Sequence, residues 1–258
     1  MHDVVILLGR GNHGPAPRRQ LEQMAAMVYA SGRYALVLTA LIDQGEPSLP
    51  QALDACAVAG ASRTLVIPVS IPREPRLQTW MARVARRWQA ANPASNLAIV
   101  MGAGLIEQPA LATALLAAAQ AAETGTDVRS LPPEGWEHDP ESWQILPAHQ
   151  FHLLTCRGPR CTALDASACW RQLRASLDEH GLRGNAERTL VTATGCLYPC
   201  GCGPVLVVYP AGVWYGHLTP DAIRRIVAEH LVAGRPVEEH RITPGGAASS
   251  SNGEDAPS

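Results

Sequence analysis

Six of the seven cysteines lie between Cys156 and Cys202, and sulfur gathered this tightly asks for a ligand. They follow one another as Cys156, Cys161, Cys169, Cys196, Cys200 and Cys202, the last three inside Cys196-Leu-Tyr-Pro-Cys200-Gly-Cys202-Gly-Pro204. Three chemistries bring thiolates together: disulfides, a tetrahedral zinc site and an iron–sulfur cluster. Disulfides are the weakest reading, because no charged-then-apolar leader opens the chain and a cytoplasmic compartment, the one expected here, keeps thiols reduced. Zinc fits better but not well. The spacing Cys156-x12-Cys169 followed by Cys196-x3-Cys200 lacks the paired C-x2-C knuckles of zinc ribbons, and no histidine stands at ligand spacing beside them. Cys156-x4-Cys161 matches only the first step of the C-x4-C-x2-C iron–sulfur pattern.

The residues around the thiols carry more than their spacing. An apolar run delivers Cys156, Cys169 follows thirteen positions on, and Gly195-Cys196-x3-Cys200 forms a loop. Then come Gly203-Pro-Val-Leu-Val-Val-Tyr-Pro-x-Gly-Val-Trp-Tyr215, Leu218-Thr-Pro-Asp221 and His230-Leu-Val-Ala-Gly-Arg-Pro236. Over roughly residues 150 to 240 this resembles the thioredoxin-like 2Fe-2S ferredoxins. The resemblance implies a 2Fe-2S cluster held by Cys156, Cys169, Cys196 and Cys200, and electron transfer to a redox partner protein. Cys161 and Cys202 are left as extras, read as small buried residues or spare thiols.

A second candidate site lies near the start. Val4-Val-Ile-Leu-Leu8 runs into Gly9-Arg-Gly-Asn-His-Gly14, the form of a buried strand entering a loop. Gly9-x-Gly11 alone is a weak phosphate signal, because the next glycine, Gly14, misses the dinucleotide spacing; no nucleotide site is assigned. With Pro47-Ser-Leu-Pro-Gln-Ala-Leu53, Ala59-Gly-Ala-x-Arg63 and Leu65-Val-Ile-Pro-Val69, residues 3 to 122 resemble the small sirohydrochlorin cobalt chelatases, class II tetrapyrrole chelatases. That family places metal-binding histidines where this chain has Arg10 and, near the loop after the third strand, Arg76. A guanidinium stays protonated and cannot bind a metal. The resemblance therefore implies a degenerate chelatase domain that keeps a carboxylated tetrapyrrole through Arg10, His13 and Arg76, in tetrapyrrole and specifically cobalamin metabolism. An active cobalt or iron chelatase with a regulatory cluster, using His13 as a replacement ligand, is the alternative. An electron-carrier scaffold without ring binding is the other.

Elements that must position these residues are legible from periodicity. Strands are expected at Val4–Leu8, Tyr34–Leu41, Thr64–Val69 and Leu97–Met101, alternating with helices near 18–29, 48–56, 76–88 and 109–122. In the second half, strands at 151–155, 189–193, 205–209 and 213–217 accompany helices at 170–180 and 219–231. The expected fold is α/β throughout: a parallel-sheet, chelatase-like domain over 1–125, a linker over 126–149 anchored by Trp136 and Trp143, a thioredoxin-like ferredoxin domain over 150–240, and a disordered tail over 241–258. The chelatase resemblance implies that the first domain is one half of a two-lobed arrangement whose ring cleft needs a second copy, so a homodimer is expected.

Composition narrows the partners. With 21 basic against 23 acidic residues, the net charge of -2 lacks the basic surplus of a nucleic-acid or membrane-surface binder. All the basic residues are arginine, which suits forked carboxylate contacts. No run approaches the ~20 apolar residues of a membrane span. Residues 1–125 hold ten arginines against eight acids and residues 126–258 eleven against fifteen, so the cysteine-bearing half is the acidic one and suits docking to a basic partner.

Overall fold

The computed structural model describes residues 3–12, 16–71, 74–130, 141, 144–183 and 189–243. The linker tryptophans Trp136 and Trp143 and the tail from residue 244 lie outside them. The described chain falls into two compact units. The first draws on residues up to Gly9, 18–40 and 49–147, and the second on 10–17, 41–48 and the chain from Ala148.

The first unit is built on a four-stranded sheet ordered β2-β1-β3-β4, with β1 Val4–Gly9, β2 Leu36–Leu41, β3 Arg63–Pro68 and β4 Ala98–Met101. β1 is buried at all six positions, as a continuous apolar run inside a parallel sheet must be. It pairs in parallel with β3, from Val4 opposite Thr64 to Leu8 opposite Pro68, and β3 pairs in parallel with β4. One face is closed by α2 Leu49–Val58 and α3 Pro75–Ala91. α2 buries Leu49, Ala52, Leu53 and Cys56, and α3 buries Met81, Val84, Ala85 and Trp88. Both sets have the i, i+3, i+4, i+7 spacing of an amphipathic helix. Trp88 Nε1 donates to Asp54 Oδ1 at 2.7 Å, which satisfies its one polar atom. On the other face α1 Ala16–Tyr29 buries Leu21 and Ala25, whereas α4 Ala110–Ala122 buries nothing.

The second unit has a mixed five-stranded sheet ordered β6-β5-β7-β8-β9. Its strands are β5 Phe151–Cys156, β6 Thr189–Thr194, β7 Leu206–Tyr209, β8 Val213–Tyr215 and β9 Arg241–Ile242. β5 and β6 are parallel and the other neighbours antiparallel, so the apolar runs of β7 and β8 pair as a hairpin across Pro210 to Gly212. The helices are α5 Pro159–Thr162, α6 Ala166–Glu179 and α7 Pro220–Arg225, the last continuing as a π-helix over Ile226–Val232. The Thr219 side chain accepts from Ala222 N–H and caps α7, with Pro220 in the first turn where its missing N–H costs nothing. The core joins Leu153, Leu173, Leu177, Leu206, Val208, Tyr215, Ile223 and Ile226. Tyr215, the largest side chain wholly inside, has its hydroxyl 2.9 Å from His230 Nδ1 and accepts from Val237 N–H at 3.2 Å.

Two short features were not legible beforehand: helix α5, only four residues long, and the two-residue edge strand β9. Helix α6 starts at Ala166, ahead of the expected Trp170, and so takes Cys169 into its first turn.

Candidate metal centre

Strands β5 and β6 run parallel and end side by side, Cys156 opposite Thr194, so both cysteine loops leave the sheet at one edge. From β5 the chain makes a tight step, Arg157-Gly158, and enters α5, whose hydrogen bond from Thr162 N–H to Gly158 O returns Cys161 towards Cys156. From β6 it passes Gly195 into Cys196 and reaches Cys200 through Tyr198, a non-glycine residue in the left-handed region at φ 51°. A Cβ on Gly158 would lie 3.2 Å from both the N and Cα of Cys196, so only glycine lets the two loops approach this closely.

The thiols stand two by two. Cys161 is hydrogen-bonded to Cys156, and both are buried beside Ala166 and Val205. Cys196 Sγ and Cys200 Sγ are 3.1 Å apart, Cys196 at the surface and Cys200 half-buried. The bond from Cys161, helped by backbone N–H groups of Leu197 and Gly158, draws the Cys156 thiol down to about 6 against the opposing effect of burial. The same bond and burial push the Cys161 thiol up. Burial, then the bond to Cys196, pushes Cys200 up to about 11. Charge on Cys200 also raises Cys161, and charge on Cys156 raises Cys200.

Cys169 is elsewhere. Its thiol donates to Leu218 O at 3.4 Å and packs with Leu153, Leu173 and Leu177 in the main core, where burial pushes it up to about 12. α6 turns Cys169, the expected partner of Cys156, inward on its apolar face, and α5 presents Cys161 beside Cys156. Cys202, half-buried, follows Cys200 in a 3-10 turn, and its carbonyl accepts from His217 N–H at 2.7 Å.

Among the described residues no three His, Cys, Asp or Glu side chains converge on one ion-sized point. A two-iron cluster does not ask for that, because each iron takes two protein thiolates. The Cys156/Cys161 and Cys196/Cys200 pairs, with backbone N–H groups of Leu197, Gly158 and Val205 directed at the first pair, suit that donor set.

Of the first-half candidates, Arg10 lies in the second unit. Its guanidinium pairs with Asp43 Oδ2 at 2.7 Å, and Asp43 Oδ1 accepts from Gly11 N–H at 3.0 Å. The Asp43 side chain is only 4% exposed against 42% for Arg10, so the carboxylate fixes the arginine and leaves one edge of it at the surface. A Cβ on Gly11 would fall 2.1 Å from Asp43 O, so this loop too requires glycine. Arg76 is exposed in the first turn of α3, in the first unit. His13 lies outside the described residues.

A parallel β5–β6 pair that ends in two thiol pairs, backed by an antiparallel hairpin and two helices, defines an iron–sulfur electron-transfer fold of the thioredoxin-like kind. A 2Fe-2S ferredoxin of Clostridium pasteurianum is 32% identical over 103 residues, covering 38% of this chain and 99% of its own. The chain belongs to the 2Fe-2S ferredoxin family. A 2Fe-2S ferredoxin of Aquifex aeolicus (strain VF5) is 51% identical over 57 residues, 22% of this chain; the chain spans about half, 51%, of that relative's length. Residues 4–122 match the CbiX family model. The sirohydrochlorin chelatase SirB from Bacillus subtilis subspecies spizizenii in complex with cobalt is 16% identical, covering 38% of this chain and 42% of its own with a TM-score of 0.32. A likeness of that size carries no argument here. Among the described residues no helix is long and apolar enough to cross a membrane.

Proposed function

We propose that the chain is a one-electron carrier or redox sensor of tetrapyrrole metabolism, in its cobalamin branch. Its 2Fe-2S cluster is held by Cys156 and Cys161 on one iron and by Cys196 and Cys200 on the other. The observation that carries this is the pairing of the four thiols at the shared edge of β5 and β6. When bound, the cluster supplies reversible one-electron chemistry. The chain's own residues do the rest. Backbone N–H groups of Leu197, Gly158 and Val205 stabilise negative charge on the inner sulfurs, while the side chains packed around Cys156 and Cys161 keep water from them. Cys196 and its neighbour Tyr198, 73% exposed, mark the open side, where an electron enters or leaves.

The CbiX-like segment is read as a domain that binds a carboxylated tetrapyrrole and has lost metal insertion. The support is the family match over 4–122 together with arginine at positions 10 and 76, whose guanidiniums cannot ligate a metal and suit carboxylate contacts. In this reading two copies complete one ring cleft, and the electron goes to the bound ring, its metal or a partner protein.

The deciding measurement is the visible spectrum of the purified protein with its iron and acid-labile sulfide content. About two irons per chain and a red-brown colour are expected. A colourless protein with one zinc per chain would sink the cluster, and brisk cobalt insertion into sirohydrochlorin would sink the loss of chelatase chemistry.

A further inference from the structure

Arg157 directly follows the ligand Cys156 and is 7% exposed, the one buried arginine among the described residues. A guanidinium does not shed its proton, so a full positive charge is held inside the second unit. Burying a charge is costly unless an opposite charge stands against it. Among the described residues no carboxylate makes an ion pair with Arg157. Its Nη2 donates to Ser167 Oγ at 3.0 Å, its Cζ lies 5.5 Å from the centre of the Trp170 ring, and its Nε is buried without a hydrogen-bond partner.

The guanidinium ends beside the inner thiols. Ser167, which receives it, follows Ala166, and Ala166 packs with Cys156, Cys161 and Val205. What aims the side chain is loop 41–48, which belongs to the second unit although it stands within the CbiX-matched residues 4–122. Ser167 Oγ donates to Gly45 O at 3.3 Å, so the group that receives Arg157 is itself tied to the loop. Gln44, in the left-handed region at φ 52°, donates its N–H to Arg157 O at 3.0 Å. Glu46 pairs with Arg171, one turn beyond Ser167 on α6, and its negative charge favours the Arg157 cation from a distance.

We propose that Arg157 is a positioning residue of the redox centre: a buried counter-charge to the cluster, aimed by Gln44 and Gly45, that raises the cluster's reduction potential. Two ferric ions and two sulfides on four thiolates carry a net negative charge, and reduction adds one more. A fixed cation therefore favours the reduced form, and inside the protein solvent and salt screen it little. Glu46 acts in the opposite sense by the same reasoning. The CbiX-like segment thus supplies part of the surroundings that set the ferredoxin's potential. This deepens the electron-carrier reading and rests on it.

An EPR-monitored redox titration of the full holoprotein tests the assignment. Arg157→Gln should lower the potential by about 59 mV or more, a tenfold loss in the one-electron reduction equilibrium, with the iron content retained. Arg157→Lys restores the charge and should return most of that shift. Glu46→Gln, at a side chain 33% exposed, removes a negative charge and should move the potential upwards. A merely structural role gives no such opposition of sign. If Arg157→Gln takes up no iron, Glu46→Gln decides: an upward shift supports the counter-charge, and an unchanged or lower potential overturns it. A loaded Arg157→Gln chain with an unchanged or higher potential also overturns it, the electron-carrier reading surviving. An unmodified chain that holds no iron overturns that reading and the proposal together.

Discussion

Replacing Cys161 and Cys169 separately by alanine tests the ligand set most directly, because neither change costs enough to unfold the chain and the two sites differ in what they hold. Both thiols are almost wholly buried, at 2% and 3% exposure. Truncation removes one heavy atom from each, on the scale of a buried methylene, or about 1 kcal/mol with a small added cavity cost. At position 169 the Leu218 carbonyl also loses its donor, which adds about 1 kcal/mol. Against a typical domain stability of about 5–15 kcal/mol, both variants stay folded. Iron tells them apart. Cys169→Ala should keep about two irons and two sulfides per chain with an unchanged visible spectrum, while Cys161→Ala leaves one iron with a single thiolate and should lose most of the cluster. Denaturant unfolding of the cluster-free forms should show a loss larger by about 1 kcal/mol for Cys169→Ala. If Cys169→Ala empties the site and Cys161→Ala remains fully loaded, the reasoning from thiol pairing fails.

Gly158→Ala changes no ligand, yet its Cβ would press on the backbone of Cys196 at 3.2 Å; cluster content should fall, as measured by iron and sulfide per chain, with the sheet intact by circular dichroism. Tyr215→Phe leaves His230 Nδ1 and Val237 N–H unpaired inside the core and should lower unfolding free energy by about 1–3 kcal/mol. Burial holds the His230 pKa below its ordinary 6.5, so its neutral form is the native one. The stability this contributes is complete above about pH 6.5 and is lost as pH falls through the lower folded value; a His230→Gln variant should show a flatter stability profile across that window. Alanine at both Arg10 and Arg76 should weaken carboxylated-ring binding by about 1–3 kcal/mol per charged hydrogen bond lost, measured by fluorescence titration. Unchanged affinity would remove the arginines from the site.

Periodicity by itself determined the elements of the first unit, since an all-apolar strand such as Val4–Leu8 and helices repeating at i, i+3, i+4, i+7 have few alternative ways to bury their apolar faces. The concentration of cysteine, with the run from Gly203 to Tyr215, likewise fixed the class of cofactor chemistry. Only tertiary structure decided which thiols meet. Cys156 and Cys196 are distant in sequence and become neighbours because β5 and β6 pair in parallel, a register no local pattern records. The family resemblance favoured Cys169, but α6 begins four residues earlier than its expected start. That places Cys169 one turn from Leu173 and two from Leu177 on the buried stripe, a helical repeat that was visible but hidden by the wrong boundary. The resemblance left Cys161 as an extra thiol, and the single helical turn that places it, Pro159–Thr162, has too few residues for any periodicity; its position comes from closure of that turn against Gly158 beside Cys156.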